Sequence, residues 1–147
     1  MDKVYYSYDE FLDDTKKLCT MIENNKPDAI IAIARGGVTL GHFIANYFDI
    51  RDFYTISSIL YNDTQKKDYH TLSEIPDLSQ YKNILLVDDI VDSGETLTCV
   101  KQEIENKFFL LDIKTASLFY KTTAIIQADY SIHEAKNWIE FFWEKDI

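Results

Sequence analysis

Two kinds of apolar pattern alternate along the chain. Phe11, Leu12, Thr15, Leu18, Cys19 and Ile22 recur near every 3.6 residues and predict a helix, with Ser7 or Asp9 placed to cap its start. Pro27 and Asp28 end it. The run Ala29-Ile30-Ile31-Ala32-Ile33-Ala34 has no polar alternation, which predicts a strand buried on both faces of a parallel sheet. Arg35-Gly36-Gly37 breaks that run, and Thr39, Leu40, Phe43, Ile44, Tyr47 and Phe48 predict a second helix. A second strand starts at Phe53-Tyr54-Thr55-Ile56, and the polar stretch from Tyr61 to Ser79 reads as a long mobile loop. Ile84-Leu85-Leu86-Val87 is a third buried strand, Asp88 to Thr96 the loop after it, and Leu97 to Ile104 a helix. One further strand is expected within Phe109 to Phe119, and beyond Tyr130 the periodicity fades.

Strands and helices alternating at this spacing predict an α/β fold: an open, mostly parallel twisted sheet flanked by helices. The 147 residues suffice for one domain, 1–147, with a core of its own. In such sheets ligands bind at the carboxyl ends of the strands. The loops at 35–37 and 88–96 both fall there.

Acidic groups outnumber basic ones, 25 to 15, a net charge near −10. That argues against a nucleic-acid partner, which calls for a basic footprint, and against stable docking on an anionic membrane. It leaves room for a small anionic ligand held by local donors and a metal. The two cysteines, Cys19 and Cys99, have no metal-ligand spacing and read as reduced, buried residues in helices. The polar, acidic N-terminus is no signal peptide and no apolar run reaches membrane-span length, so a cytoplasmic location is expected.

The richest segment is Ile84-Leu85-Leu86-Val87-Asp88-Asp89-Ile90-Val91-Asp92-Ser93-Gly94-Glu95-Thr96-Leu97. A buried strand ends in two carboxylates, and a third precedes Ser, Gly and Thr at a helix start. The unpaired N–H groups of that first turn, with Gly94 allowing close approach, form a phosphate cradle. Asp88 and Asp89 are placed to accept hydrogen bonds from sugar hydroxyls or to hold Mg²⁺, directly or through water. The plainer alternative is a helix capped by Asp92 or Ser93 beside two solvated aspartates. In the other loop, Arg35 can clamp a diphosphate while Gly36 and Gly37 expose successive N–H groups as an anion nest. The chain has neither a Walker A loop nor the Gly-x-Gly-x-x-Gly fingerprint, which removes the usual ATPase and dehydrogenase readings.

The 84–97 string closely resembles the ribose-phosphate signature of type I phosphoribosyltransferases. Ala34-Arg35-Gly36-Gly37 resembles the Ser-Arg-Gly-Gly loop of the bacterial xanthine–guanine enzymes, with Ala in the first place, and that loop often carries an unusual, sometimes cis, peptide. Ile50-Arg51, Ile56-Ser57-Ser58, Lys121, Asp129-Tyr130, Trp138-Ile139-Glu140 and Trp143-Glu144 fall in that subgroup's order, so the resemblance runs from about Tyr8 to Glu144. It implies the type I fold with a flexible lid at 61–75 and a small C-terminal purine-binding hood at 121–147. It implies Mg²⁺-dependent transfer of a 5-phosphoribosyl group from phosphoribosyl pyrophosphate to a 6-oxopurine (xanthine, guanine or hypoxanthine), as in purine salvage.

By the same resemblance, Arg35, Gly36, Gly37, a lid lysine (Lys66 or Lys67), Asp88, Asp89, Ile90, Val91, Asp92, Ser93, Gly94, Glu95 and Thr96 would bind phosphoribosyl pyrophosphate. Asp92 would face the purine N7, Lys121 would donate to O6, and Arg35 would act on the leaving pyrophosphate. Trp138 would stack on the base, Ile139 would offer its backbone carbonyl, and Glu140 would meet the base's edge. Asp88, Asp89 and Glu144 are the expected metal ligands; the subgroup commonly has Asp at position 144. A homo-oligomer, dimer or tetramer, is expected, with the aromatic-rich helix at 39–48 a candidate interface. Two rivals remain: a non-catalytic sensor of phosphoribosyl pyrophosphate or nucleotide on the same fold, and a transferase for a non-purine acceptor.

Overall fold

Local signals account for where the elements begin. The structure, a computed structural model, describes residues 2–61 and 69–147, with side chains described outside 60–71. A four-residue strand β1 (Lys3–Tyr6) leads into α1 (Tyr8–Ile22). Of the two candidate caps, Ser7 serves: its Oγ accepts from the Glu10 N–H (3.1 Å), while the Ser7 N–H donates to Glu10 Oε2 (2.8 Å). Then follow β2 (Ala29–Ala34), α2 (Val38–Phe48) and β3 (Phe53–Tyr61). After these come β4 (Tyr69–Leu72), β5 (Asn83–Val87), β6 (Ile90–Val91) and α3 (Glu95–Lys107). The chain finishes with β7 (Asp112–Ala116), β8 (Phe119–Tyr120), β9 (His133–Glu134) and β10 (Trp138–Phe141).

The main sheet has the order β4-β3-β2-β5-β7. β3, β2, β5 and β7 run parallel, and β4 lies antiparallel on the edge. Side chains alternate between its faces with period 2. Ile30, Leu85 and Val87 pack with Phe11 and Leu18 of α1 and with Leu40 and Ile44 of α2. Ile31, Ile33, Ile84 and Leu86 pack with Leu97, Val100 and Ile104 of α3. Coverage of both faces explains the unbroken apolar runs, and the expected α/β architecture is the one observed.

Several elements differ from expectation. The stretch from 61 to 79 is not all loop, because β4 pairs with β3 through Ser58↔Leu72 to Tyr61↔Tyr69. The single strand expected within 109–119 is instead β7 with Phe119 opening the separate strand β8. Phe109 and Leu110 sit in the turn before β7, more than four-fifths exposed. Cys19 is buried as expected, but Cys99 is only half-buried. The apolar residues Leu40, Ile44 and Phe48 of α2 are spent on its own core, and Tyr47 is the large ring left exposed for an interface. Residues 62–68 of the segment expected to form a lid lie outside the described residues. Among the described residues, no helix is long and apolar enough to cross a membrane.

Two small parallel sheets stand at the carboxyl end of the main sheet's chain path. β6, β8 and β9 form one, and β1 pairs with β10 in the other, Lys3 opposite Trp138 and Tyr6 opposite Phe141. Nothing in four residues of N-terminal sequence announces a partner more than 130 positions away.

Candidate active site

Because β2 and β5 are parallel neighbours, the loops after them emerge side by side. They touch there only because one of them is glycine. A Cβ on Gly37 would strike the Val87 carbonyl and come within 2.9 Å of Asp88 Cα and 3.0 Å of the Ile33 carbonyl. A Cβ on Gly36 would lie 2.5–2.8 Å from the three carboxyl atoms of Asp89. The Gly37 N–H donates to Ile33 O (2.8 Å), and the Ala34–Arg35 peptide is cis. Arg35 itself is exposed at the loop's edge.

Asp88 and Asp89 follow β5. The Asp89 N–H donates to Asp88 Oδ1 (2.8 Å) and the Ile90 N–H to Asp89 Oδ1 (2.7 Å). Burial holds both carboxyls above the ordinary carboxylate range, and the charge of Asp89 raises Asp88 further. Glu144 is also raised, by burial first and then by the charge of Asp89. Asp89 and Glu144 share a cleft of about 730 Å³ with Arg35, Gly36, Trp138, Glu140 and Trp143. Clustered acids pushed toward protonation make a donor set suited to a hard divalent cation. Among the described residues, no three His, Cys, Asp or Glu side chains are grouped to hold a metal by themselves. Asp89 and Glu144 suit a cation such as Mg²⁺, which characteristically takes one or two carboxylates and completes its shell with water and substrate phosphate oxygens.

The second group lies around the start of α3. Gly94, not Asp92 or Ser93, occupies the N-cap position, in the left-handed region at φ 84°. Only glycine suits that conformation, and a Cβ would also meet Ile126 at 3.1 Å. The Ser93 hydroxyl accepts from the Glu95 N–H (3.2 Å), and the Ser93 carbonyl accepts from the Ile125 N–H (2.9 Å). Ser93 takes up the Glu95 N–H, but the glycine cap adds no side chain over the other N–H groups of the first turn, which keeps them approachable by an anion. Lys121 follows β8 and its Nζ lies 2.8 Å from Asp92 Oδ1, both side chains substantially exposed. The two residues expected to meet one heterocycle are thus brought together from positions 29 apart.

The purine-platform candidates sit on β10. Trp138 is 59% exposed and faces the cleft, whereas the Ile139 side chain is buried behind it. Trp143 stacks on Phe141, centroids 4.6 Å apart at 12°. Asp92, residues 93–96 and Lys121 do not line the 730 Å³ cleft. They connect to it through the 88–91 segment, whose Asp89 carbonyl accepts from the Leu118 and Phe119 N–H groups (3.0 and 3.2 Å). Lys66 and Lys67 lie outside the described residues. Lys3 also lines the cleft, opposite Trp138 in the β1–β10 register, and sequence reasoning passed it over. Only the pairing register could have found it.

A twisted parallel sheet with an acidic pair and a glycine nest at adjacent strand ends, and a glycine-capped helix alongside, defines a phosphate-sugar binding class of α/β protein. Comparison with known families agrees: the model of the phosphoribosyl transferase domain matches residues 7–146, and the chain belongs to that family. It is 38% identical to the Helicobacter pylori xanthine-guanine-hypoxanthine phosphoribosyltransferase, with a TM-score of 0.91 over 97% of this chain and 94% of that one. The purine phosphoribosyltransferase of Pyrococcus horikoshii is 30% identical, TM-score 0.87, over 100% and 97% of the two chains. The xanthine-guanine phosphoribosyltransferase of Roseobacter denitrificans is 30% identical over 95% of this chain and 84% of its own length. A Neisseria gonorrhoeae protein solved with bound ppGpp is 25% identical, TM-score 0.79, with 98% and 90% covered.

Proposed function

We propose that the chain transfers the 5-phosphoribosyl group of phosphoribosyl pyrophosphate to a ring nitrogen of a 6-oxopurine, releasing pyrophosphate and a nucleoside monophosphate. The relatives' names support the purine acceptor. The observation that carries the reading is the meeting of the Gly36 loop with Asp89, beside a glycine-capped helix and the Asp92–Lys121 pair.

Each group then has a task. The 92–96 loop and the first turn of α3 hold the 5′-phosphate, and this remote binding energy fixes the sugar's position. Arg35 and the Gly36 and Gly37 N–H groups grip the diphosphate, while Asp88 and Asp89 orient the ribose hydroxyls and, with Glu144, face the metal. Mg²⁺, when bound, neutralises the diphosphate and makes it a better leaving group. Asp92 faces N7 and takes or orients its proton; Lys121 stabilises the charge growing on O6. Trp138 stacks on the base, and the Ile139 carbonyl and Glu140 meet its C2 edge, where xanthine, guanine and hypoxanthine differ.

The test is a steady-state assay with phosphoribosyl pyrophosphate, Mg²⁺ and each of xanthine, guanine, hypoxanthine, adenine, uracil and orotate. Nucleotide formed from a 6-oxopurine and lost on chelation is the expected result. One observation favours a second reading, since the Neisseria neighbour holds a guanosine polyphosphate. A protein that binds such a nucleotide but releases no pyrophosphate with any base would be a sensor.

A further inference from the structure

Asp14 is a carboxyl group in the middle of α1, 5% exposed, on a helix face it shares with Phe11, Thr15, Leu18, Cys19 and Ile22. An acid is expensive in such a place unless it is paired. Its Oδ2 accepts two hydrogen bonds, from the Tyr6 hydroxyl at 2.6 Å and from His133 Nε2 at 2.8 Å. Burial, and then the bond to Asp14, push the Tyr6 hydroxyl well above its ordinary pKa, so it stays a donor.

The two donors come from different small sheets. Tyr6 ends β1 and is opposite Phe141 of β10, the strand that carries Trp138 and Glu140. His133 begins β9 and is opposite Phe119 of β8, the strand that runs directly into Lys121. The rings repeat the connection: Tyr6 meets Phe119 and Phe141 edge-on at 5.0 and 5.8 Å, and His133 lies 5.4 Å from Phe119. One carboxyl oxygen therefore joins β1 and β9, the pairing partners of the base-facing strands β10 and β8, to α1, and through α1 to the main sheet.

Behind those strands there is room to move. Tyr6, Asp14, His133 and Ile139 line an open groove of about 490 Å³, shared with the charged Glu10 and Lys17. Ile139 points there while its neighbours Trp138 and Glu140 line the cleft, so the groove and the cleft flank opposite faces of β10. With the tie cut, β10 can relax toward the rear groove. The Arg35–Gly37 loop is carried instead by β2 and α2, and the 92–94 turn, although it follows β6 of the β6-β8-β9 sheet, leads into α3, whose Leu97, Val100 and Ile104 are buried in the core.

We infer that Tyr6, Asp14 and His133 form a positioning device that fixes the base-binding strands, and so sets affinity for the purine far more than affinity for phosphoribosyl pyrophosphate. This rests on the function proposed above, and the test separates the two. His133→Phe keeps the ring contact with Phe119 but removes the donor, while His133→Gln supplies an amide donor; Tyr6→Phe cuts the other bond. KM for guanine and for phosphoribosyl pyrophosphate is measured for each, together with GMP affinity by tryptophan fluorescence, since the only two tryptophans, Trp138 and Trp143, both line the cleft.

The expected result is a fivefold or greater rise in guanine KM and GMP Kd for His133→Phe, with the pyrophosphate donor's KM within twofold and His133→Gln largely restored. Tyr6→Phe shifts the same constants. If it does not fold, the two His133 variants decide, because that side chain is half exposed. Guanine KM and GMP Kd within twofold of wild type in His133→Phe, or a matching rise in both substrates' KM, overturns the inference. A wild type that binds GMP but never turns over defeats the proposed function alone, and the GMP titration still decides the inference.

Discussion

Gly36 and Gly37 are adjacent, yet alanine at each should fail in a different way. At Gly36 the new Cβ lies 2.5 Å from Asp89 Oδ2, against an ordinary contact distance of 3.4 Å. The carboxyl must retreat by about 0.9 Å, the shortfall between those distances, and give up geometry in its 2.7 Å bond from the Ile90 N–H. The obstacle is a side chain at the edge of a cleft, so the fold can yield: overpacking costs about 1–3 kcal/mol, offset by about 0.4–1 kcal/mol from a less flexible unfolded chain. The melting temperature should fall by roughly 0–10 °C at about 2–4 °C per kcal/mol. Displacing a group that meets the diphosphate-ribose by about 1 Å should lower kcat/KM by roughly 10²-fold. At Gly37 the Cβ meets main chain on β2 and at the end of β5, and no rotamer relieves that. Gly37→Ala should therefore be the less stable variant. Thermal melts and kcat/KM at saturating Mg²⁺ read both effects. A Gly36→Ala enzyme within threefold of wild type, or one that melts below Gly37→Ala, would refute the reasoning.

Lys121→Met should move the melting temperature little, because an exposed ion pair is worth about 0–1 kcal/mol, while kcat/KM with hypoxanthine drops by about 10²–10³-fold. Asp92→Asn should behave alike, about 10²–10⁴-fold down with the fold intact by circular dichroism. Trp138→Ala removes a largely exposed ring that stabilises the fold little, and a lost stack of about 1–3 kcal/mol should raise the base's KM by roughly 5–150-fold in initial-rate assays. Burial, and then the charge of Glu23, push the Cys19 thiol up to about 12, so at pH 8 it holds almost no thiolate. Alkylation of the native protein, followed by mass spectrometry, should mark half-buried Cys99 first and Cys19 only on unfolding; the reverse order would contradict the burial pattern.

The 84–97 string was legible because its chemistry is local. A strand, an acidic pair and a glycine-opened helix follow each other in the chain, so their order in sequence is their order in space. The same holds for the buried runs of β2 and β5, whose lack of alternation reports coverage on both faces. The β4 strand was not legible, because an antiparallel edge strand in a polar stretch gains its order from its partner. Phe109 and Leu110 misled for the opposite reason: apolar residues need not be buried, and these two fall in a turn.

Sequence by itself determined the strand–helix alternation and the two glycine-bearing loops at the strand ends, since each depends on neighbours a few positions apart. Tertiary structure alone decided that Gly36 meets Asp89, that Lys121 pairs with Asp92, that Lys3 joins the cleft, and that Asp14 ties Tyr6 to His133. Those contacts depend on strand register and on packing between elements up to 135 positions apart, as between Lys3 and Trp138, and no local period encodes such a distance.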